Sequence, residues 1–359
     1  MISNRFIASL FLLLLIKMIS ACSQEQPTSQ GFAGLGAEAE GFAQVMPNPM
    51  ITYPDALNMH PDYRIEWWYV TANLESDSGK RFGVQWTLFR QANSPAPQRE
   101  GWANQQLWLG HVGITHADQH LFAERYARGG IGQAGIMMPQ FHAWIDDWSL
   151  KALDEEAQFL AVSAADEGFH YQLSLSKTGP YILQGDQGFS VKSDQGQASY
   201  YMSLPFLDAE GSITLGDETF SVTGQAWIDR EWSSQPLAED QQGWDWFSLH
   251  LDNGDKLMLF RLRHAHENHY FSGTYISANG NAYPLRPEQI QMRPLTAHKV
   301  AGRQVPVEWH LTLDDHQLDV TTRPLNPNSW MATGIAYWEG PITFSGTHSG
   351  RGYLEMTGY

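Results

Sequence analysis

The chain has 359 residues, 42% hydrophobic and 13% aromatic with 14 Trp, enough to build two domains of ordinary size. Its formal net charge of -17 argues against a nucleic-acid partner, because phosphate binding requires a basic face. The acidic balance names no partner of its own; its ordinary effect is solubility.

The N-terminus "MISNRFIASLFLLLLIKMISAC" places Arg5 before an apolar run from Phe6 to Ile16. That run is too short to span a bilayer as a helix but suits a signal-peptide core. It ends in "ISAC", a hydrophobic residue, two small residues and Cys, the pattern of a bacterial lipobox. Cys22 is the chain's only cysteine, so it cannot form an internal disulfide. Residues 1–21 are therefore read as a lipoprotein signal peptide and Cys22 as the lipidation site, with the lipid chains as membrane anchor. Ser23 rather than Asp follows Cys22, so in a Gram-negative host the expected address is the outer membrane, facing the periplasm. Residues 22–45, rich in Gly, Ser, Gln and Ala, read as a flexible tether.

After the tether, strand signals dominate. In "KRFGVQWTLFR", Phe82, Val84, Trp86 and Leu88 share one face. "FHYQLSLS", "ITLGDETFSVTG", "KLMLFRLR" and "WHLTLDD" alternate similarly between Gly, Asn or Asp turns. Short helices are expected only near Ala123–Arg128 and Leu285–Gln289. The predicted class is all-β, as barrels or sandwiches. A faint repeat links residues 66–90 with 245–263: each has an acid and Trp, a strand, a Gly-containing turn, and a strand ending in Arg. "TGQAWIDREW" (223–232) likewise echoes "SGRGYLEMTGY" (349–359). The repeat divides the body into tandem β domains over 46–232 and 233–359, the first longer through excursions near "QANSPAPQREGWANQQ" and "GGIGQAGIMMPQ".

Several segments together, "IEWWYVTANL", "GHVGIT", "FAERYAR", "GQAWIDREWSSQP", "GWDWFSLHLDNGDKLMLFRLR" and "YWEGPITFSGTHSGRGYLEMTGY", resemble the AttH-like family, which includes the carotenoid 1,2-hydratases (hydroxyneurosporene synthases). The resemblance covers residues 46–359. It implies two lipocalin-like β-barrel domains in tandem, and companionship with an ABC-type export system for some members. For the hydratases it implies addition of water across an isoprenoid double bond, with Trp227-Ile228-Asp229 matching an aromatic-x-Asp segment and Asp229 as general acid. The hydratases also carry a His and a Trp in an earlier strand, where "SYYMSLP" (199–205) here offers Tyr200 and Tyr201 and no His.

The chemistry is consistent with the residues. A carboxylic acid in apolar surroundings keeps its proton at neutral pH, and aromatic faces stabilise a carbocation. Asp229 stands between Trp227 and Trp232 in sequence. Strand alternation puts Asp229 and Glu231 on one face and Arg230 on the other. The competing reading makes Asp229, Arg230 and Glu231 an ion-paired clasp at the domain junction. Glu66 and His111 are further candidate catalytic groups, each weighed against a buried, hydrogen-bonded core role. Alternation puts Glu66 with Trp68 and Trp67 with Tyr69. His264, His266 and His269 read as a solvated loop rather than a zinc site, for want of a fourth ligand. No metal or cofactor is expected: the chain has no P-loop, no dinucleotide fingerprint and no G-x-S-x-G elbow.

Three functions remain open at this point. One is a binding module holding an apolar or amphipathic ligand, of the lipid or isoprenoid class, lined by Trp67, Trp68, Trp86, Tyr201, Trp227, Trp232 and Trp246. Another is a hydratase with Asp229 as acid. The last is a scaffold for a protein partner. An enzyme predicts Asp229 inside a cavity opposite an aromatic; a carrier predicts a cavity without a convergent acid; a scaffold predicts filled barrels and an exposed apolar patch.

Overall fold

The computed structural model describes residues 32–37, 39–265 and 268–359. Cys22 and the signal segment lie outside them. Among the described residues no helix is long and apolar enough to cross a membrane.

The fold is all-β, two sheets that each curl towards closure. The first contains β1 (Ile65–Ser76), β2 (Arg81–Ala92), β3 (Gln106–His116), β4 (Gln119–Arg128), β5 (Ala134–Met137), β6 (His142–Ile145), β7 (Trp148–Ala152), β8 (Phe159–Asp166), β9 (Phe169–Lys177), β10 (Ile182–Leu183), β11 (Phe189–Val191), β12 (Ala198–Leu215) and β13 (Glu218–Ser233). The second contains β14 (Gln241–Leu251), β15 (Lys256–His264), β16 (Tyr270–Ile276), β17 (Ala282–Leu285), β18 (Gln291–Val300), β19 (Arg303–Leu313), β20 (Leu318–Pro324), β21 (Trp330–Met331), β22 (Tyr337–Gly346) and β23 (Gly350–Thr357).

The two sheets share a strand order. The first sheet runs β4-β3-β2-β1-β13-β12, and the second β17-β16-β15-β14-β23-β22. The two echoed sequence pairs occupy the same places: each hairpin pairs with the last strand of its own sheet. Even the charge pair recurs. Glu66 stands opposite Arg90 across β1–β2, and Asp245 opposite Arg261 across β14–β15. Both acids are buried and ion-paired to those arginines.

Period-2 alternation decides what fills each barrel. Trp68, Val70, Ala72 and Leu74 of β1 point inward with Trp86 and Leu88 of β2, in one continuous core. Phe247, Leu249, Trp309, Trp338 and Leu354 form the core of the second barrel. The opposite faces of β1 and β14 are apolar too. Tyr69, Tyr201, Trp227, Trp246, Phe260 and Tyr353 make a third cluster between the barrels. The barrels thus pack side by side, and β1 is buried on both faces.

Two expectations need correction. Ala123–Arg128 is not helical; it lies in β4, an edge strand paired with β3, where ladder hydrogen bonds outweigh the helix propensity of Ala, Glu and Arg. The Leu285–Gln289 segment does contain a short 3-10 turn, Pro287–Gln289. The described part of the expected tether is not free. Leu35 O accepts from Arg64 Nη2 at 3.2 Å, Gly36 O from Gln235 Nε2 at 3.0 Å and Ala43 O from Ser234 Oγ at 2.5 Å. Its small residues let the chain lie close along the body, with Ala39 buried.

Candidate active site

A cavity of about 320 Å³ opens between the barrels, lined from both. The first barrel contributes Trp67 and Tyr69 of β1, His111 of β3, Tyr201 of β12, and Asp229 and Glu231 of β13. The second contributes Trp244 and Trp246 of β14, Phe260 of β15, Tyr337 of β22 and Glu355 of β23. Leu35 and Leu237 complete the apolar wall.

Asp229 is the best-defined group in it. Its side chain is buried and accepts from Tyr201 Oη at 2.6 Å, Ser203 Oγ at 2.5 Å and Trp227 Nε1 at 2.7 Å. Ser203 lies directly opposite Asp229 across β12–β13, and Tyr69 directly opposite across β1–β13. Burial pushes the carboxyl up from 3.8 to about 7; the three donors oppose this, and the charge of Glu231 adds to it. Asp229 therefore titrates near neutrality, where a group can both hold and release a proton.

Alternation correctly separates the charges of the Asp229-Arg230-Glu231 run. Arg230 points into the first barrel, where its guanidinium bonds Glu66 and lies 3.9 Å from the Trp68 ring centroid. Glu66 also pairs with Arg90 and accepts from the His60 backbone N–H. The two arginines outweigh burial and hold Glu66 well below the usual carboxylate range. Glu66 does not line the cavity and is not placed to act on a ligand there. Glu231 does line it, but as one half of an ion pair with Lys192 Nζ at 3.0 Å, supported by Ser199 Oγ. The charges do not form one clasp at the junction: Arg230 pairs with Glu66 inside the first barrel, Glu231 pairs with Lys192, and Asp229 faces the junction held by hydrogen bonds.

His111 bridges the domains. Its Nε2 is 3.0 Å from Glu124 Oε1 and its Nδ1 3.0 Å from Tyr337 Oη. With Nε2–H donating to the carboxylate, Nδ1 accepts the Tyr337 hydroxyl. Glu124 also accepts the Gly334 backbone N–H at 2.9 Å, tying β4 to the segment before β22.

The aromatic predictions divide by face. Trp67, Tyr201 and Trp246 line the cavity. Trp68, Trp86 and Trp232 are core residues of a filled barrel, Trp232 stacked on His60 at 3.9 Å. Trp227 is buried in the inter-barrel cluster and reaches the site through its bond to Asp229. The cavity lies between the barrels, whose interiors large indoles occupy. Sequence reasoning missed Glu355, Glu339, Tyr337 and Lys192, although one segment quoted for the resemblance, residues 337–359, contains the first three. Of the three histidines read as a loop, His264 bonds Asp240 at 2.9 Å, and His266 lies outside the described residues. Among the described residues, no three His, Cys, Asp or Glu side chains converge as a metal site.

Two lipocalin-like barrels with an acid-bearing cavity between them define the class of protein. The AttH-like family model matches residues 44–359, and the chain belongs to that family. The crystal structure of an AttH protein from Nitrosomonas europaea is similar over 89% of this chain and 100% of its own, at 33% identity and a TM-score of 0.79. Kievitone hydratase from Nectria haematococca shares the fold over 89% of this chain and 97% of its own, at 16% identity and a TM-score of 0.66. CghA, solved with Sch210972, does so over the same shares, at 12% identity and a TM-score of 0.54. No curated protein sequence matches this chain.

Proposed function

We propose that this protein is a hydro-lyase that adds water to a carbon–carbon double bond of an apolar, isoprenoid-class substrate held between its barrels. One observation carries this reading: Asp229, with a pKa of about 7, faces an aromatic-walled cavity. A carrier needs the cavity but not the acid.

The chemistry follows from the geometry. Neutral Asp229 gives its proton to one alkene carbon, and the π-electrons form the new C–H bond. The adjacent carbon becomes cationic beside the faces of Trp67, Tyr69 and Trp246, whose quadrupoles stabilise positive charge. Water captures the cation, forming the C–O bond and releasing a proton. A volume of about 320 Å³ is at the small end of ligand sites and takes a short terpenoid or the end of a longer chain. The hydratase named among the structural relatives fits this reaction class. The lipobox at Ile19–Cys22 supports a lipid anchor on the periplasmic side of the outer membrane, where an apolar substrate and an ABC-type export partner would be met.

The test is turnover of farnesol and of lycopene in detergent micelles with 18O-labelled water. The expected product carries one added water bearing the label, and Asp229→Asn abolishes it while retaining the bound probe. Retention without turnover in the unaltered protein would make the protein a carrier instead.

A further inference from the structure

The cavity has a second acid cluster that the Asp229 chemistry does not use. Glu355 of β23 lines the cavity from the second barrel, and Glu339 of β22 stands directly opposite it across the ladder. Two carboxyls in direct register, Glu339 buried and Glu355 half-buried, are expected to repel unless one is protonated. Neither has an ion-pair partner among the described residues. Glu339 Oε1 accepts from Tyr69 Oη at 2.7 Å, while Oε2 is buried and meets no donor. Glu355 Oε1 accepts from Trp244 Nε1. The other titratable groups around the pair are Glu231 of β13, itself ion-paired to Lys192 on the same cavity wall, Tyr69 of β1, Tyr337 of β22 and Tyr353 of β23.

We propose that Glu339 and Glu355 share one proton and form a second proton station on the cavity wall, with Glu355 as the base that takes the proton of the attacking water. The inference rests on the hydration reading. A shared proton supplies the partner that Glu339 Oε2 lacks. Burial raises both carboxyls above their ordinary range, with each other's charge adding to the effect on Glu339.

The balance closes. The Asp229 proton forms the C–H bond, water oxygen forms the C–O bond, and the water's proton moves to Glu355. Asp229 is then a carboxylate and the glutamate pair is fully protonated. Transfer of one proton from the pair back to Asp229 through solvent restores the site. The two stations are already mechanically joined. Trp246 lies opposite Glu355 on β14–β23, and its Nε1–H donates at 3.1 Å to the Tyr201 hydroxyl that holds Asp229. Tyr69, opposite Asp229 in the ladder, reaches Glu339. Glu355 is assigned as the catalytic residue and Glu339 as a positioning residue.

The test has two arms. In the Asp229→Asn background, infrared difference spectra near neutral pH should show a protonated-carboxyl C=O band that is lost when the Glu339→Gln, Glu355→Gln double variant is added. A band unchanged in the double variant overturns the shared proton. In turnover of farnesol or lycopene, Glu355→Gln should lower kcat by about 100-fold or more with little change in KM. Glu339→Gln should retain activity but move the acidic limb of the pH profile to higher pH, because Glu355 loses the protonated neighbour whose hydrogen bond stabilises its carboxylate. Wild-type turnover by Glu355→Gln overturns the assignment while leaving Asp229 as acid. If the unaltered protein turns over neither probe, the hydration reading fails and the assignment of Glu355 as base fails with it; the infrared arm still decides the shared proton.

Discussion

Trp246 of the second barrel donates its indole N–H to the Tyr201 hydroxyl of the first at 3.1 Å, and that hydroxyl donates to Asp229 at 2.6 Å. The second barrel therefore orients a donor to the first barrel's acid. Tyr201→Phe removes that donor without removing the ring. A hydrogen bond to a charged group contributes about 1.5–3 kcal/mol, so the Asp229 pKa should rise by about one to two units. The 13C carboxyl titration of Asp229 reads this directly, and the alkaline limb of any acid-dependent activity should move up with it. An unchanged or lowered titration midpoint would show that Tyr201 does not stabilise the anion.

The raised pKa of Asp229 also makes stability depend on pH. Its folded value of about 7 lies above the ordinary 3.8. Between those values the native protein binds a proton that the unfolded chain does not, so stability falls as pH rises through the window. Above it the loss is complete. Each pH unit in the window changes the difference by about 1.4 kcal/mol. Asp229→Asn removes this dependence, so it should gain on the wild type as pH rises. Urea unfolding of both proteins at about pH 5 and about pH 8 measures the change, and equal differences at the two values would refute it.

Period-2 reasoning made part of the site legible. It placed Asp229 and Glu231 opposite to Arg230, and Trp67 with Tyr69 away from Glu66, because a strand has only two faces. It could not say which face was interior. In β1 both faces are apolar, since Trp68 fills a barrel while Tyr69 packs against Trp246 of its neighbour at 5.3 Å between ring centroids. Composition likewise cannot distinguish a Trp that fills a barrel from one that lines a cavity: Trp68 and Trp86 are core residues, whereas Trp67 and Trp246 line the cavity. Glu355 escaped notice because its significance depends on a second barrel brought against the first by packing. The acid, strand and Arg pattern of the repeat was legible because the same cross-strand pair recurs as Glu66–Arg90 and Asp245–Arg261.

The pairing of Glu66 with two arginines predicts a large effect of its removal. Glu66→Gln leaves Arg90 and Arg230 buried with their shared carboxylate gone. Breaking a buried ion pair from one side typically costs about 3–5 kcal/mol. Because the folded pKa of Glu66 is depressed, its contribution is present above the unfolded carboxylate pKa and is lost as pH falls through the folded value. The deficit of the variant should therefore be largest near neutrality and shrink in acid. Denaturation midpoints at several pH values would show it; a pH-independent deficit would assign the loss to packing alone.

Close packing between the barrels depends on Gly83 at one contact. A Cβ added to Gly83 of β2 would stand 2.5 Å from Pro341 Cγ of β22, inside van der Waals contact with a rigid ring. Gly83 has no positive φ, so Gly83→Ala strains nothing in its own strand. The whole effect must appear at the inter-barrel contact, either as an overpacking cost of about 1–3 kcal/mol or as separation of the two sheets. Separation would loosen the Trp246–Tyr201 bond and deform the cavity. The variant should therefore lose retained apolar ligand, and hydrogen exchange should accelerate along the facing edges of β1, β14 and β23 while both barrel cores stay protected. Uniform acceleration through the first barrel would instead mean that Gly83 serves that barrel's own stability and not the junction.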